Sequence, residues 1–439
     1  MRDPGSHPPA RPRSNRLQHC ALFQLVTIGI FGIPTCAEDD RHGSLATVEP
    51  RKADGRKVVT DQHNNSGSSP GNASSRRRFL KSAIGTGAAA AAVSLAMPNV
   101  SRAQTTTLRF QSTWPSTDIF HEFAGDYVNV VNRLSGGRLT MELLPAGAVV
   151  GALQLQDAII AGALDGGHGV AGYWYGKNKA FSLFATPPAW GWNANQMLGW
   201  VRYGGGQALY DELVQQVLGL DLVGILSSPM PSQPLGWFAS EINDPAQLNG
   251  LKYRTNGLAA DMSQEMGIAV TILGAGDIVP AMDRGLIDGA EFNNPSSDLL
   301  LGFPDVAKVY MVRSFHQNSE CFEVIFNKTK FDGLGEELQQ VLRYAADAAS
   351  ADMSWKAMDR YSADLQKIKD AGVTVVPTPE NVLKAQLEAW NRVIETLSAD
   401  PFFKKVVDSQ KEWARRVVGF EQEWETPRTL AYQHFFPQA

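Results

Sequence analysis

An arginine at the end of a predicted strand is the first residue of this sequence with an evident chemical use. Arg254 closes the short segment 251–254 and is followed by Thr255-Asn256-Gly257 and a predicted helix. Because ligands of open α/β sheets bind at the carboxyl ends of strands, a guanidinium placed there can hold a carboxylate through two parallel charge-assisted hydrogen bonds. A surface or salt-bridged arginine is the alternative interpretation, and position alone leaves both open.

A glutamate stands in the equivalent place after another predicted strand. Glu291 directly follows the strand predicted at 287–290 and precedes Phe292-Asn293-Asn294. A carboxylate in this apolar setting is expected to be partly buried, and a buried carboxylate requires a partner. That partner is either a bound hard cation, which accepts carboxylate, amide and backbone oxygens, or a protein group. In the second case Glu291 forms an ion pair or caps a helix at 295–301.

The usual sequence signatures of enzymes give little support to catalysis. After residue 103 the chain contains no P-loop, no Gly-x-Ser-x-Gly and no His-Glu-x-x-His. The histidines of this part of the chain are too scattered to suggest a metal site: His121, His168, His316 and His434. An enzyme is therefore the weakest of the functional hypotheses.

The charge and the cysteine content narrow the range of partners. The chain has 40 basic and 45 acidic residues, of which residues 104–439 carry 26 and 38, a net charge of −12. Such an acidic surface argues against nucleic acid or an anionic membrane surface as the partner. Cys321 is the only cysteine in that stretch. We therefore expect no intramolecular disulfide and no cysteine metal site there, and we predict that Cys321 is buried.

A basic segment followed by an apolar one predicts export from the cytoplasm. Residues 75–81 read Ser-Arg-Arg-Arg-Phe-Leu-Lys, an Ala/Gly-rich apolar stretch follows, and Ser101-Arg102-Ala103 matches a cleavage site. This pattern is typical of a twin-arginine signal peptide, here at 75–103, and the apolar stretch is too short to span a bilayer well. The mature protein is then periplasmic. We interpret residues 1–74 as a disordered or mis-annotated N-terminal extension.

The order of the predicted elements in the first part of the mature chain indicates an α/β protein. Strands at 108–112, 139–144 and 166–170 alternate with helices at 118–134 and 153–163. This βαβαβ order predicts a parallel sheet with helices on its faces.

The rest of the chain predicts a second lobe and a helical end. A long helix at 193–218 and a strand at 220–226 precede a Pro/Ser-rich crossing at 227–234, after which a new alternation of strands and helices begins. A strand at 321–327 is expected to return across the lobes. The helix predicted at 336–371 would be about 54 Å long, longer than one lobe, so it is expected to bridge the lobes or to support a partner subunit.

Three segments that carry the candidate residues resemble one family of transport receptors. They are Gln233-Pro234-Leu235-Gly236-Trp237-Phe238, Gly250-Leu251-Lys252-Tyr253-Arg254 and Asp288-Gly289-Ala290-Glu291-Phe292. In this order they are similar to the solute receptors of tripartite ATP-independent periplasmic (TRAP) transporters, and the resemblance covers essentially all of 105–435. Within the family, the sequence is most similar to the branch that binds 2-oxo acids such as pyruvate together with a metal ion.

The resemblance implies a role for four residues. In that branch the arginine of the Lys-x-Arg strand grips the substrate carboxylate, and here it is Arg254. A glutamine ahead of the Gly-Trp-Phe strand reaches the cation, and here it is Gln233. A Glu-Trp pair supplies a carboxylate and a backbone carbonyl to the same cation, and here the pair is Glu291 and Phe292. The cation is expected to be Na⁺ or Ca²⁺, and Gln233 and Phe292 are also expected to touch the substrate.

Two more positions are assigned to the substrate site, and one of them departs from the family. Tyr173 belongs to a dense set of aromatic residues that, in a closing cleft, exclude water and strengthen charge contacts. Gln317 stands where the branch tends to carry an acid near the ligand. This departure, with a second one at Asn293-Asn294-Pro295, leaves 2-hydroxy acids such as lactate open beside 2-oxo acids.

The resemblance also implies the architecture and the partners. The expected fold is α/β, the two-lobed periplasmic-binding-protein fold with mixed sheets, hinge-linked lobes and long C-terminal helices. We expect lobe I at 104–230 and lobe II at 231–320, while 321–439 supplies return strands, the long bridging helix and the C-terminal helices. The lobes close on the ligand by a hinge motion. The expected partners are the membrane permease subunits and, through the C-terminal helices, a second copy of the chain.

Other functions stay open from the sequence alone. A receptor of this fold can instead bind a dicarboxylate, an aromatic acid or a sugar acid, and it can serve an ATP-driven importer. A periplasmic enzyme is the third alternative, and turnover of a bound acid would favour it.

Overall fold

The computed structural model describes residues 105–437. The predicted signal peptide at 75–103 and the N-terminal extension at 1–74 lie outside the described residues. No helix within the described range combines the length and the apolar character that crossing a membrane requires.

The strands of the described range belong to two mixed sheets. In chain order they are β1 (Thr106–Ser112), β2 (Leu139–Leu144), β3 (Gly166–Gly169), β4 (Leu222–Met230), β5 (Gly236–Phe238), β6 (Lys252–Arg254), β7 (Ala269–Thr271), β8 (Gly289–Ala290), β9 (Val309–Val312), β10 (Glu320–Asn327) and β11 (Thr374–Pro377).

The α-helices cover both sheets and dominate the last third of the chain. They are α1 (Ile119–Leu134), α2 (Leu155–Ile160), α3 (Ala194–Tyr203), α4 (Gly206–Asp211), α5 (Leu258–Glu265), α6 (Ala275–Asp283), α7 (Pro295–Leu301), α8 (Phe303–Val306), α9 (Lys328–Asp332), α10 (Glu336–Asp370), α11 (Glu380–Leu397), α12 (Pro401–Trp424) and α13 (Arg428–Phe435).

The first sheet has the strand order β2-β1-β3-β10-β4. β1 pairs in parallel with β2 and β3, which confirms the predicted βαβαβ start. β10 pairs antiparallel with both β3 and β4, so the predicted return strand completes this sheet and makes it mixed. Cys321 lies on β10 and is fully buried, as predicted.

The second sheet has the order β11-β9-β5-β8-β6-β7. β6 pairs in parallel with β7 and β8, whereas β5 runs antiparallel to β8 and β9. All of its strands except β11 come from one continuous stretch of chain. The two sheets confirm the predicted two-lobed α/β architecture with mixed sheets.

The helix predicted at 193–218 is wrong in its extent. The structure divides it into α3, α4 and a π-helical segment Glu212–Val217. Gly205 between α3 and α4 has φ of +86°, a conformation that an uninterrupted right-handed helix does not contain. Three consecutive glycines at 204–206 are the signal that the sequence analysis passed over.

The Pro/Ser-rich stretch at 227–234 does not end the preceding strand where we predicted. β4 continues to Met230, because a β-bulge absorbs the irregular residues. Across the pairing with β10, Pro229 faces Cys321 while Ser227 faces Phe322, which leaves Ser228 as the extra residue. Ser228 has φ of +55°, and its N–H donates to the Ser350 hydroxyl at 2.8 Å. Since β4 is an edge strand, Pro229 is tolerated there.

The predicted long helix is confirmed as α10, which has 35 residues. At 1.5 Å per residue it is about 52 Å long. It packs against α1 and β4 on the side of the first sheet and against α7 on the side of the second. It therefore bridges the two halves of the structure.

A Gly-x-Gly-x-x-Gly spacing at 167–172 begins within β3 and ends just beyond it, and its glycines allow close packing. A Cβ on Gly167 would approach the Gln111 carbonyl oxygen to 2.7 Å, so the adjacent strand leaves no room for a side chain. The segment that follows, Ala171–Trp174, is a short 3-10 helix. A dinucleotide-binding turn requires a full helix N-terminus at this place, and the structure does not provide one.

Candidate ligand and cation site

The sheet register explains why Arg254 and Glu291 meet. Arg254 is the last residue of β6 and pairs with Ala290, the last residue of the parallel strand β8. Glu291 therefore emerges at the same edge, and its N–H donates to the Arg254 carbonyl at 3.3 Å. This is the carboxyl edge of the strands, where the sequence analysis placed the site.

Arg254 is fully buried, and protein groups hold its guanidinium on two sides. Its Nε and Nη2 both donate to the Leu273 carbonyl, at 3.1 and 3.0 Å. Its Nη1 donates to the backbone carbonyl of Glu291 at 2.9 Å and to Oε1 of the same residue at 3.0 Å. Of the interpretations left open for Arg254, the structure therefore contains the salt bridge, with Glu291 as the partner.

Glu291 is fully buried, yet only one of its carboxylate oxygens has a hydrogen-bond partner. Oε1 accepts from Arg254, whereas Oε2 has no partner among the described residues. Burial raises the pKa of Glu291 to about 7, against the opposing effect of the Arg254 charge. A bound cation would favour the ionised form of such a group.

The alternative role of Glu291 as a helix cap is not found. The side chain of Asn294 caps α7 instead, where its Oδ1 accepts from the N–H groups of Ser296 and Ser297, each at 3.0 Å. Glu291 is thus left free to face Arg254.

Gln233 lies in the crossing from β4 to β5 and carries a second unpartnered oxygen. Its N–H donates to the Gln317 carbonyl at 3.0 Å. Its side-chain Nε2 donates to Glu320 at 3.0 Å, while Oε1 is buried without a partner. Both amide atoms of Gln317 are also buried and unpartnered within the described range. Because buried polar atoms are normally hydrogen-bonded, such a set indicates space for a ligand or water.

Glu320 is a site residue that the sequence analysis missed. It is the first residue of β10, one position before the predicted strand, and it pairs with Met230 at the end of β4. Its Oε2 accepts from Gln233 Nε2 at 3.0 Å and from Asn293 Nδ2 at 2.5 Å. Burial raises the pKa of Glu320 to about 8, and the nearby Glu291 charge adds to the shift. The available signal was an acid at the start of an apolar run.

Aromatic rings form one wall of the site. The Phe292 ring lies 5.7 Å from the central guanidinium carbon of Arg254 and 6.4 Å from the Trp114 ring. The Tyr173 ring lies 5.7 Å from Trp114. Burial raises the pKa of the Tyr173 hydroxyl, against the effect of the Arg254 charge, so this residue lies within electrostatic reach of the guanidinium. The structure therefore brings Tyr173 and Phe292 to the predicted site.

Hydrogen bonds across the site join the half that contains the first sheet to the half that contains the second. Asp118, the N-cap of α1, accepts from the Ser297 hydroxyl of α7 at 2.6 Å. Asp261 on α5 accepts from the Tyr175 hydroxyl and from the Lys179 ammonium, both at 2.5 Å. The halves are thus in direct contact around the site.

A metal ion bound at this site would need ligands other than acidic side chains. The described residues contain no group of three or more histidine, cysteine, aspartate or glutamate side chains that could hold a metal ion. A cation at this place would have to bind amide or backbone carbonyl oxygens as well as carboxylates. The unpartnered Oε1 of Gln233 and Oε2 of Glu291 fit that requirement, since hard cations prefer oxygen ligands.

Comparison with known protein families decides the class of the protein. The model of the family described as bacterial extracellular solute-binding protein, family 7, matches residues 110–400. The chain belongs to this family. It is a periplasmic transport receptor of the TRAP type, and the family match confirms the prediction of a solute receptor rather than an enzyme.

One curated relative of this family 7 receptor matches almost over its full length. A monocarboxylate 2-oxoacid-binding periplasmic protein of Nostoc sp. is 28% identical over 369 residues, which are 82% of this chain and 98% of the relative. Its name places this relative in the 2-oxo acid branch to which the sequence resemblance pointed.

Two solved structures show what related family 7 receptors bind. A TRAP solute-binding protein of Bordetella bronchiseptica, with copurified calcium and picolinate, has a TM-score of 0.72 and 27% identity, and covers 76% of this chain and 98% of its own. A TRAP solute-binding protein of Pseudoalteromonas atlantica, with bound sodium and pyruvate, has a TM-score of 0.69 and 26% identity, and covers 73% of this chain and 98% of its own. Both hold a small acid together with a cation.

Proposed function

We propose that this receptor binds a small 2-oxo or 2-hydroxy monocarboxylate together with Na⁺ or Ca²⁺ and delivers it to the permease subunits of a TRAP transporter. Arg254 binds the ligand carboxylate. Gln233, Glu291 and the Phe292 carbonyl bind the cation. Tyr173 and Gln317 complete the substrate site.

The observation that carries this proposal is the fully buried pair of Arg254 and Glu291. One positive and one negative group lie side by side, and Oε2 of Glu291 is unpartnered. A small acid and a cation also have opposite charges, so each of them can pair with one member of this buried ion pair. The acid replaces Glu291 as partner of the guanidinium, while the cation takes the carboxylate of Glu291.

The aromatic wall supports a compact planar acid. The rings of Trp114, Phe292 and Tyr173 are large and rigid, so they favour a ligand with a flat face and a single anionic end. Pyruvate in one relative and picolinate in another both have this shape. A dicarboxylate would bring a second negative charge for which the described site offers no second arginine.

A ligand screen tests the proposed function. The purified receptor, first stripped of ligand by partial unfolding and dialysis against a chelator, is screened by thermal shift with pyruvate, lactate, picolinate, succinate and galacturonate. Each acid is added with Ca²⁺, with Na⁺ or with neither. We expect stabilisation by pyruvate, lactate or picolinate, the small compact monocarboxylates of the screen, only when a cation is present. Stabilisation by succinate or galacturonate alone, or cation-independent binding, would contradict the proposal.

The lobe boundaries belong to the same proposal. We infer lobe I at 104–230 and lobe II at 231–320, with 321–439 returning to both, and hinge closure about the crossings between the sheets. The two sheets support this division, since β1–β4 precede the boundary and β5–β9 follow it. The crossing that contains Gln233 joins them directly.

A dimer through the C-terminal helices is also proposed. Trp424 at the end of α12 is 75% exposed and Phe435 on α13 is 72% exposed. Rings this exposed on consecutive helices are typical of a surface that a partner covers. Light scattering should give twice the chain mass for the receptor and a lower mass for Trp424→Glu.

Export by the twin-arginine pathway, inferred from 75–103, is tested by replacing Arg76, Arg77 and Arg78 with lysine and locating the protein.

A further inference from the structure

Glu320 holds an unusual position for a buried carboxylate. It is 3% exposed, and both hydrogen bonds that it accepts come from neutral amides, those of Gln233 and Asn293. Neither Arg254 nor any lysine forms an ion pair with it in the described part of the chain. Burying a carboxylate without a positive partner is costly. Glu320 shares this property with Glu323, but Glu320 alone of the two is hydrogen-bonded to Gln233, a proposed cation ligand, so a bound cation can supply its counter-charge.

Glu320 also determines the orientation of the Gln233 amide. When a bound cation favours its ionised form, the Glu320 carboxylate only accepts hydrogen bonds, so it keeps the Nε2 of Gln233 on its own side. The Oε1 of Gln233 is thereby turned away from Glu320, and it is the atom that has no partner. Side chains that orient a metal ligand in this way commonly change metal affinity when they are removed.

The charges around the site can be counted from the described residues. Burial favours the protonated forms of Glu291 and Glu320 in the cation-free protein, but a bound cation favours the ionised forms. In that cation-bound state Arg254 contributes one positive charge, Glu291 and Glu320 contribute two negative charges, and a monocarboxylate ligand adds a third. A monovalent cation leaves one uncompensated negative charge in the buried site, and a divalent cation leaves none. Asp118 and Asp298 lie nearby, but their hydrogen bonds go to Ser297 and Trp237, and any charge on them acts in the same direction.

We propose that Glu320 is a specificity-determining residue of the cation site, which makes this receptor select a divalent cation of the Ca²⁺ type over a monovalent one. The residue acts in two ways. It supplies the second buried negative charge, and it presents Gln233 Oε1 to the ion. This inference rests on the proposed function, because the count includes a bound acid.

The test compares Ca²⁺ and Na⁺ binding by the receptor and by Glu320→Gln. Binding of CaCl₂ or NaCl is measured by equilibrium dialysis and thermal shift at constant ionic strength with saturating pyruvate present, and again without the acid. We expect the unmodified receptor to prefer Ca²⁺, and Glu320→Gln to lose roughly tenfold or more of its Ca²⁺ affinity with a smaller change for Na⁺. An unchanged ratio in the variant, or preference of the unmodified receptor for Na⁺, would overturn the inference.

A matched control and a rescue variant exclude a general loss of structure. Glu323 lies on the same strand, is fully buried, and accepts from Trp174 Nε1 and from the Tyr210 hydroxyl. Glu323→Gln should leave the cation preference unchanged. Glu320→Asp keeps the charge and should keep the preference for Ca²⁺; if it loses the preference as fully as Glu320→Gln does, the charge argument is wrong.

A second arm of the experiment separates this inference from the proposed function. Pyruvate is titrated into the Ca²⁺-loaded and the Na⁺-loaded receptor by calorimetry. If Glu320→Gln lowers the Ca²⁺ affinity of the acid-free receptor but no acid in the screen binds, the proposed ligand class and the charge count are wrong, and only the orientation of Gln233 by Glu320 is upheld. If pyruvate binds equally well with both cations and to both variants, the inference on Glu320 fails and the proposed function stands.

Discussion

Arg254 and Glu291 neutralise one another in the structure, and this pairing determines how the arginine should be tested. Both side chains are fully buried and their charged atoms are 3.0 Å apart. Removing the arginine would leave Glu291 as an unpaired buried charge, which destabilises proteins strongly. A loss of binding in Arg254→Ala would therefore be confounded with a loss of fold.

Arg254→Lys tests the role of the arginine in acid binding more specifically than Arg254→Ala does. Lysine keeps the positive charge beside Glu291 but cannot form two parallel hydrogen bonds with a carboxylate. We expect acid affinity to fall roughly tenfold to hundredfold, the size of one or two charge-assisted hydrogen bonds. The melting temperature should fall less than in Arg254→Ala, because Glu291 keeps a positive partner although the Leu273 carbonyl loses its donors. Calorimetric titration of pyruvate in the presence of the cation measures the acid affinity. Arg392→Lys, which alters a surface pair with Glu265, should bind normally; equal affinity in both variants would count against the carboxylate clamp.

The buried carboxylates predict an unusual dependence of stability on pH. Burial raises the pKa of Glu291 to about 7, of Glu320 to about 8 and of Glu323 to about 7, from a usual value of 4.5. Between about pH 4.5 and 8 the folded protein holds protons that the unfolded chain releases, so stability falls as pH rises. The cation-free receptor should therefore melt at lower temperature at pH 8 than at pH 5.5.

Added Ca²⁺ should reverse that trend, since it stabilises the ionised carboxylates that bind it. The increase in melting temperature caused by CaCl₂ should be larger at pH 8 than at pH 5.5. A melting temperature of the cation-free protein that rises steadily over this range would show that these carboxylates are already ionised at pH 5.5.

At the scale of secondary structure, Gly236 determines how closely β5 approaches β8. Its φ is +136°, and a Cβ built on it would lie 2.4 Å from the carbonyl oxygen of Ala290. Gly236→Ala is expected to lower the free energy of unfolding by about 2–4 kcal/mol, through backbone strain and the clash. Because Gln233 and Glu291 flank this contact, cation affinity should fall as well.

Gly125→Ala on α1 is the matched control for denaturant unfolding. A Cβ there meets Leu143 Cδ2 at 3.6 Å, an ordinary contact. The change should be neutral or stabilising by up to about 1 kcal/mol. If both alanine variants unfold at the same denaturant concentration, the strain assigned to Gly236 is absent.

The sequence was sufficient to place Arg254 and Glu291, because each follows a strand and the carboxyl ends of parallel strands share one edge. Glu320 could not be found in this way. Its contact with Gln233 depends on the pairing of Met230 with Glu320 across β4 and β10, and these strands are distant in sequence. Strand pairing at long range leaves no periodic pattern in either strand.

Local backbone irregularities explain why the predicted ends of one strand and one helix were wrong. The β-bulge at Ser228 lets β4 continue past the Pro/Ser-rich stretch, although propensity alone predicts an end there. The prediction of one helix at 193–218 was wrong because the apolar periodicity was given more weight than the three glycines at 204–206, which interrupt the helix. The family resemblance supplied Gln233 and Gln317, which spacing did not single out, and Tyr173 came from the dense set of aromatic residues.

At the scale of the whole molecule, contacts at the rim of the site are expected to slow ligand release. Asp261 joins Tyr175 and Lys179 across the two halves. Asp261→Asn removes the charge of a half-exposed pair, which contributes about 0.2–1 kcal/mol. We expect dissociation of the acid to become up to about fivefold faster in stopped-flow tryptophan fluorescence, with little change in association.

The control for this effect is Asp408→Asn, which alters the pair with Lys404 within α12, away from the site. It should release the ligand at the normal rate. Equal release rates in Asp261→Asn and in the unmodified receptor would show that the rim contact does not limit opening.

The continuity of the second sheet has a consequence for how such receptors diversify. Apart from β11, its strands lie within a single uninterrupted stretch between the end of β4 and the start of β10. Arg254 and Glu291 are inside this stretch, and Glu320 is just beyond it. One recombination event with a homologous gene would therefore exchange Arg254 together with the proposed cation ligands Gln233, Glu291 and Phe292, whereas Glu320, and with it the proposed choice between monovalent and divalent ions, would stay with the recipient.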